Sequence, residues 1–304
     1  MPPDCATADD LAALRPAHDA FVGIDSDGCV FDTMGVKQKE HFHPLICRFW
    51  GLEAIEPQVR AAAEFVNLAS RTRGRNRFTN LLLTFELLAA WGEVRASGVA
   101  LPRLDALRAY CHSGLPLGNP SLTDEVARSG DPDLRRLLEW SLAVNDDIDR
   151  RMRPVAPFPW ALASLEKIAR SSDAIVVSQT PEAALVKEWR HHGLARFVSA
   201  IAGQEVGTKA RQLTLASRGR YRAGRVLMIG DAPGDLAAAQ EAGTLFYPVI
   251  PGREDEAWRR FHDEACDRFL GGTYTGAYAD GLCRAFLDAL PDTPPWQTAP
   301  PAGP

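Results

Sequence analysis

The chain has 304 residues, of which 46% are hydrophobic, enough to bury one large core or two modest ones. Its 34 basic residues against 39 acidic ones give a net charge of −5, which argues against a nucleic-acid-binding protein. No apolar stretch reaches transmembrane length, and the first residues lack the basic and then apolar pattern of a signal peptide. We therefore expect a cytoplasmic globular protein that binds neither nucleic acid nor membrane. The sequence does not specify its oligomeric state.

The cysteines are scattered and include no Cys-x-x-Cys pair. In a chain of this length, that pattern favours reduced thiols over a disulfide framework or a zinc site. The six positions are Cys5, Cys29, Cys47, Cys111, Cys266 and Cys283.

The first apolar run, residues 21–24, predicts a short strand that ends in two carboxylates, Asp25 and Asp27, followed by Gly28. Residues two apart in a strand point to the same side, so this acidic pair would lie together where the strand leaves its sheet. Like charges held that close repel each other unless a cation or a proton lies between them. The run indicates a functional site, although Asp-Gly is also a common turn dipeptide that caps the next segment.

Residues 37–152 show almost no strand pattern. Apolar residues recur at helical spacing from Phe78 to Trp91 and again from Leu134 to Ile148. Asp131-Pro132 is typical of a helix start, with Asp as the N-cap and Pro in the first turn. We predict an all-helical domain over residues 36–153. Three prolines between residues 153 and 160 then predict a semi-rigid linker.

After Trp160, short apolar strands alternate with amphipathic helices, which indicates a parallel sheet covered on both faces. The strand over residues 21–24 has the same character, so the helical domain is an insertion in one α/β domain, residues 1–35 and 154–290. The Pro-rich residues 291–304 predict a disordered tail. The predicted strands are residues 174–177, 197–202, 226–229 and 245–250, and the predicted helices are residues 181–192, 209–217 and 235–242.

Polar residues follow these strands. Ser178 and Gln179 follow the second strand, Gly230, Asp231 and Asp235 follow the fourth, and Lys209 opens the helix between them. Each is ordinary alone, since a Ser after a strand is often an N-cap and a Lys at a helix start is usually solvated. In open α/β sheets, ligands bind beyond the carboxyl ends of the strands. The order and spacing of the set therefore indicate one site.

These residues resemble the four motifs of the haloacid dehalogenase-like (HAD) superfamily of hydrolases, read as Asp25-x-Asp27-Gly28, Ser178, Lys209 and Gly230-Asp231-x-x-x-Asp235. The resemblance covers roughly residues 20–35 and 160–250. It implies a Rossmann-like parallel sheet of order 5-4-1-2-3 with Mg²⁺ at its carboxyl edge. The helical insertion lies where the family has a C1-type cap, which would close over the site and exclude water.

The resemblance also implies a role for each motif residue. Asp25 would be the nucleophile that forms an aspartyl-phosphate, and Asp27 the general acid and then the general base. Asp25, the Asp27 carbonyl and Asp231 would bind the metal, with Asp235 acting through water or fixing Lys209.

Ser178 would donate to the phosphoryl oxygens, and Lys209 would neutralise the phosphate and nucleophile charges. We also expect Gly28 and Gln179 to take part in binding the substrate.

The acid at position 27 selects among the reactions of the family. Dehalogenases lack it, so Asp27 favours hydrolysis of a small soluble phosphomonoester through an aspartyl-phosphate. A phosphomutase uses the same two acids and remains an alternative. A catalytically silent binding protein on the same fold is a second alternative, against which the complete set of motif residues argues.

The densest basic run, residues 70–78, lies in the helical insertion. It carries four arginines, which could bind a second anionic group of the substrate bidentately. The alternative is a solvated basic loop paired with surface acids. The arginines are Arg71, Arg73, Arg75 and Arg77.

Three other motifs are interpreted as structural. His41 and His43 lie two residues apart, a spacing that does not place them on one face of a helix, so we expect packing or surface histidines rather than a metal pair. His191-His192 would cap a helix C-terminus. Cys29 would be a buried packing residue rather than a nucleophile.

Overall fold

The computed structural model describes residues 6–298, which form two compact units. We name residues 6–34 with 154–289 the α/β unit, and residues 35–153 with 290–298 the helical unit. The internal boundaries lie within one residue of those predicted from the sequence. The C-terminal segment differs, because residues 290–298 belong to the helical unit. Cys5 and residues 299–304 lie outside the described residues.

A five-stranded, all-parallel sheet forms the centre of the α/β unit, in the order β3-β2-β1-β4-β5. This is the predicted order 5-4-1-2-3, which is thereby confirmed. The strands are β1 (Phe21–Ile24), β2 (Asp173–Val177), β3 (Ala200–Ala202), β4 (Val226–Gly230) and β5 (Leu245–Pro248).

The two edge strands are shorter than predicted. Strand β3 begins at Ala200 rather than residue 197, because the chain enters it through a 3₁₀ turn, Leu194–Phe197, that follows Gly193 at a φ of 68°. Strand β5 ends at Pro248, two residues early. The apolar runs therefore extend beyond the paired residues, so composition alone misplaces the strand ends.

Strand β1 lies at the centre and pairs with both β2 and β4. Ile24 is in register with Val176 on one side and Ile229 on the other, so three strands end at nearly the same level. Gly23 allows helix Lys209–Ser217 to approach, because a Cβ there would lie 2.4 Å from Leu213 Cδ2. The sheet thus brings the residues that follow β1, β2 and β4 to one edge.

Helices cover both faces of this sheet, as expected for buried parallel strands. The three helices predicted between the strands are present within two residues of their predicted bounds. The α-helices are Ala8–Ala13, Pro159–Ser171, Glu182–His191, Lys209–Ser217, Pro233–Ala242, Glu254–Arg260, Cys266–Leu270 and Gly276–Asp288, with 3₁₀ segments Leu194–Phe197 and Gln204–Val206 and a π-helical segment Phe261–Ala265.

The helical unit has its own core, which includes the buried side chains of Phe78, Phe85 and Trp140. Asp131 caps the longest helix as predicted, because its side chain accepts hydrogen bonds from the first-turn N–H groups. None of the helices within residues 6–298 is long and apolar enough to cross a membrane. Beginning with the short helix through which the chain enters the unit, the segments are Thr33–Val36, Lys37–Phe42 (π-helical), His43–Trp50, Glu53–Ile55 (3₁₀), Glu56–Leu68, Arg77–Ala90, Gly92–Ser97, Asp105–Cys111, Asn119–Ser129, Pro132–Arg151 and Pro295–Thr298.

The prediction of a disordered tail is wrong for residues 291–298. The Trp296 ring stacks on Trp91, with 4.2 Å between the ring centroids and 4° between the ring planes, and meets Phe65 edge-on. Asp292 lies 3.5 Å from the Arg71 guanidinium. Large aromatic rings contribute much of the packing energy of a contact, so the contacts of Trp296 favour an ordered position for this segment.

Two histidines of the helical unit are buried, as the packing alternative predicted. His41 Nδ1 lies 2.7 Å from Asp147 Oδ2. The His43 ring is fully buried, and neither of its nitrogens has a hydrogen-bond partner. Burial, with smaller contributions from Arg60 and Lys39, lowers the pKa of His43 from 6.5 to about 3.

We expect His43 to make the protein acid-sensitive. The unfolded chain binds a proton below pH 6.5, so the free energy of unfolding should fall by up to about 1.4 kcal/mol per pH unit as the pH decreases. His43→Leu should remove that part of the pH dependence in urea unfolding between pH 7 and pH 5. His112→Gln, which changes an exposed histidine of the same unit, is the control. Equal pH dependence of wild type and His43→Leu would contradict the assignment.

Candidate active site

The turn after β1 presents the first two acids. The Asp25 N–H continues the sheet by donating to the Ile229 carbonyl at 2.9 Å. Gly28 then takes a φ of 83°, in the left-handed region that favours glycine, and its N–H donates to the Phe31 carbonyl at 2.7 Å. The chain therefore folds back within four residues. Gly28 lies in the predicted site, where its backbone conformation forms the turn.

Lys209 lies between two buried carboxylates. Its Nζ is 2.8 Å from Asp25 Oδ2 and 2.5 Å from Asp235 Oδ1. Burial alone would lower the pKa of Lys209, but Asp235 and Asp25 outweigh that effect and raise it. Lys209 is therefore a permanent cation at this edge of the sheet.

Three carboxylates converge here. One oxygen each from Asp25, Asp231 and Asp235 lies within 4.8 Å of the others, and all three residues are buried. Burial raises the pKa of Asp25 well above its ordinary value; Lys209 opposes this shift, and Asp235 and Asp231 add to it. One lysine thus offsets only part of the negative charge, and oxygen donors crowded in this way suit Mg²⁺.

Asp235 differs from the other two because both of its oxygens already have partners. Oδ1 contacts Lys209, and Oδ2 accepts hydrogen bonds from the N–H groups of Asp231 (3.1 Å) and Ala232 (2.9 Å). A Cβ on Gly230 would lie 2.4 Å from Asp235 Cβ, so this approach requires the glycine. These contacts suit a residue that fixes Lys209 and the Asp231 loop, the second of the roles predicted for it.

Asp27 has a different environment from Asp25. Its Oδ1 accepts a hydrogen bond from the Thr33 hydroxyl at 2.5 Å, and its Oδ2 accepts one from the Thr180 hydroxyl at 2.6 Å. Asp27 is partly exposed. Two neutral hydroxyls therefore orient this carboxylate. Thr33 and Thr180 are candidate functional residues that the sequence did not predict.

Ser178 is buried at the end of β2. Its N–H donates to the Ala202 carbonyl, and its Oγ accepts the Thr180 N–H at 3.1 Å. Gln212 is fully buried; its Oε1 accepts the Ser178 N–H, and its Nε2 donates to the Ser178 carbonyl at 2.9 Å. Gln212 is not predicted from the sequence, although a polar side chain one turn after Lys209 on a buried helix is a signal for it.

Gln179, predicted to bind substrate, is exposed, and its Nε2 donates to the Gly207 carbonyl at 2.8 Å. Cys29 is buried and has no contact that suggests chemistry. Its carbonyl accepts the Trp258 indole N–H, and burial, with smaller contributions from Asp231 and Asp25, raises the pKa of its thiol. These contacts agree with the packing role expected of Cys29.

The four arginines of the basic run lie in the helical unit and have different surroundings. Arg71 Nε donates to the Leu290 carbonyl at 3.3 Å. Arg73 is buried, and its Nη1 donates to the Leu68 carbonyl at 2.9 Å. Arg75 is exposed, and Arg77 begins helix Arg77–Ala90. The alternative interpretation, a solvated basic loop, therefore describes only part of the run.

No protein-family model matches the sequence, and a search of curated proteins found no match. Solved structures do match. One is a haloacid dehalogenase-like family hydrolase from Streptococcus pneumoniae. The match is 14% identical, covers 81% of this chain and 91% of the other protein, and gives a TM-score of 0.44. A protein assigned as a haloacid dehalogenase-like hydrolase, from Bacteroides fragilis, is 15% identical with coverages of 79% and 93% and a TM-score of 0.48. One assigned as a β-phosphoglucomutase, from Bacteroides vulgatus, is 14% identical with coverages of 85% and 91% and a TM-score of 0.45.

The sheet order agrees with what the motif residues implied. Asp25, Ser178 and Asp231 follow β1, β2 and β4 at one edge of a sheet of order 5-4-1-2-3, and Lys209 joins them from a neighbouring helix. The architecture is that of the haloacid dehalogenase-like fold. The C1 type of the helical unit stays a prediction.

Proposed function

We propose that the chain is a Mg²⁺-dependent phosphomonoester hydrolase that acts on a small soluble phosphorylated metabolite. One observation carries the proposal: a single turn holds two carboxylates in different electrostatic settings. Asp25 is buried against the Lys209 ammonium, whereas Asp27 is partly exposed and accepts hydrogen bonds from the hydroxyls of Thr33 and Thr180. Two acids with different surroundings suit a nucleophile and an acid/base residue.

These two residues supply the nucleophile and carry the proton in both steps of the reaction. Asp25 attacks phosphorus as the bond to the leaving oxygen breaks, and Asp27 gives its proton to that oxygen. Asp27 then takes a proton from a water molecule that attacks the aspartyl-phosphate. Inorganic phosphate leaves, Asp25 returns as a carboxylate, and Asp27 is protonated again.

The remaining residues hold and neutralise charge. Lys209 and the Ser178 hydroxyl would face the phosphoryl oxygens, where fixed charges and dipoles lower the barrier of phosphoryl transfer. Asp25, Asp231 and the Asp27 carbonyl would hold Mg²⁺, which when bound adds positive charge opposite the phosphate. Asp235 would keep Lys209 and the Asp231 loop in place.

Removal of the metal tests the proposal directly. We expect phosphate release from p-nitrophenyl phosphate to stop in EDTA and to return when Mg²⁺ is added, because Lys209 alone does not offset three buried carboxylates. A screen of sugar phosphates, nucleotides and phospho-acids would then find the substrate class. Isomerisation of a sugar phosphate without phosphate release would favour the phosphomutase alternative. Undiminished turnover in EDTA would contradict the metal dependence.

The two threonines that orient Asp27 give a finer test. Thr180→Val and Thr33→Val keep the side-chain shape but remove one hydrogen bond each from the Asp27 carboxylate. Since a hydrogen bond to a charged group contributes roughly 1.5–3 kcal/mol, each variant should lower kcat about 10- to 100-fold. Steady-state kinetics with p-nitrophenyl phosphate would measure this, with Thr→Ser variants at the same positions as controls. Wild-type kcat in both valine variants would argue against Asp27 as the acid/base residue.

A further inference from the structure

Arg77 is half-buried in the helical unit and contacts only neutral groups. Its Nη1 donates to Asn145 Oδ1 at 2.8 Å, to the Ser141 hydroxyl at 3.1 Å and to the Ser141 carbonyl at 3.3 Å. Its guanidinium carbon lies 5.1 Å from the centroid of the Phe42 ring. Burial lowers the pKa of Arg77.

A counter-charge is missing from this environment. Within residues 6–298, no carboxylate lies within ion-pair distance of the Arg77 guanidinium. More exposed arginines of the same unit do have such partners: Arg60 pairs with Glu56, and Arg108 with Glu86. A charge that is partly removed from water and has no counter-ion is unfavourable. The contrast between a half-buried arginine without an acidic partner and more exposed arginines with one therefore points to a ligand that supplies the negative charge.

The two acids that follow Asn145 in the long helix Pro132–Arg151 already have partners. Asp146 lies 2.7 Å from Arg150, and Asp147 contacts both Arg151 and His41. Neither is within ion-pair distance of Arg77.

Several N–H groups at this place have no acceptor in the described part of the chain. The Nε and Nη2 groups of Arg77 make no hydrogen bond there, and neither does the side-chain amide nitrogen of Asn145. Asn145 Oδ1 already accepts from Arg77, so its amide nitrogen lies beside the guanidinium. A planar guanidinium with two free N–H edges matches a carboxylate or phosphate in a bidentate arrangement.

We propose that Arg77 and Asn145 form an anion-binding site in the helical unit that takes a carboxylate or a phosphate group. Ser141 holds the guanidinium from the other side, since its hydroxyl accepts from Arg77 and donates to Asn119 Oδ1 at 2.6 Å. The site goes beyond the proposed hydrolase activity and does not depend on it. The anion is either a second charged group of the substrate or a separate ligand, and the experiments below distinguish the two sources.

Binding is tested without turnover, on the full-length protein in EDTA. The Nε–H resonance of Arg77, identified by its loss in Arg77→Gln, should shift and saturate as succinate or inorganic phosphate is added. Asn145→Ala should weaken that binding about tenfold or more, since one hydrogen bond to a charged group is lost. Arg136→Gln removes an exposed positive charge of the same unit and should bind as wild type does.

An Arg77 resonance that does not move with either anion would overturn the proposal, as would equal affinities in wild type and Asn145→Ala. If Arg77→Gln does not fold, Arg77→Lys, which keeps the positive charge but lacks the guanidinium Nε–H, identifies the resonance, and the comparison of wild type with Asn145→Ala remains decisive.

The source of the anion follows from kinetics with Asn145→Ala, whose catalytic carboxylates are intact. If KM for a phospho-acid rises about tenfold while KM for p-nitrophenyl phosphate does not, the anion is the second charged group of the substrate. If the two KM values keep their ratio while succinate binding is lost, the site takes a separate anion. Both results support the site. Absence of any phosphatase activity would contradict the proposed function but leave the binding result standing.

Discussion

Asp25→Asn is expected to lower kcat for p-nitrophenyl phosphate by at least about 10⁴-fold with Mg²⁺ present, since loss of a nucleophile removes most of the rate enhancement. The change is nearly isosteric and leaves the Ser26 N–H, which donates to Asp25 Oδ1 at 2.8 Å, with an oxygen to bind. The substitution removes the negative charge and the nucleophilic oxygen, and the turn keeps its shape. Initial rates of phosphate release would measure the effect.

Asp19→Asn is the matched control for that variant. Asp19 is an exposed carboxylate just before β1, at the opposite end of the strand from Asp25, and its amide variant should keep wild-type rates. Wild type supplied with substrate and quenched in acid should also carry a phosphoryl group on the peptide that contains Asp25. Comparable turnover by Asp25→Asn and wild type would remove this site as the source of the activity.

The central part of the fold follows from local sequence. Strand β1 has the bounds predicted for it, because four consecutive apolar residues buried on both faces end at an acidic turn. The helix Lys209–Ser217 also has its predicted bounds, since Thr208 caps its first turn and the chain turns away at Arg218. Where an apolar run and a cap agree, the sequence defines the element.

The contacts that orient the acids do not follow from local sequence. Thr180 donates to Asp27 across 153 positions in the chain, and Gln212 reaches Ser178 across 34. Such pairs exist only after the parallel sheet has brought the carboxyl ends of β1 and β2 together. A motif identifies Asp27 and Ser178, but the groups that hold them in place become visible only in the folded chain.

Composition was misleading at the C terminus. Proline-rich residues with few apolar side chains favour disorder on average, yet Trp296 and Asp292 bind the segment to Trp91 and Arg71. The error arises because composition averages over a window, whereas one aromatic contact and one ion pair act at single residues. The four arginines of residues 71–77 likewise do not share one environment, since each has its own surroundings.

The ion pairs of Lys209 are expected to stabilise the folded α/β unit, in addition to the catalytic role proposed for Lys209. Lys209→Met keeps the length of the side chain but leaves Asp25 and Asp235 buried without their cation. Breaking a buried ion pair from one side costs roughly 3–5 kcal/mol, so the urea midpoint in EDTA should fall clearly. Lys39→Met, in which an exposed lysine 3.7 Å from Glu64 is replaced, should change the free energy of unfolding by less than about 1 kcal/mol.

A second substitution separates the stability effect from the catalytic one. In Lys209→Met with Asp235→Asn, one uncompensated buried charge is removed, and the remaining oxygen of residue 235 still accepts the N–H groups of Asp231 and Ala232. We expect the double variant to recover part of the lost stability but none of the activity, because only a cation at position 209 offsets the charge on Asp25 and the phosphate. A double variant no more stable than Lys209→Met would show that repulsion among the buried carboxylates is not what the lysine relieves.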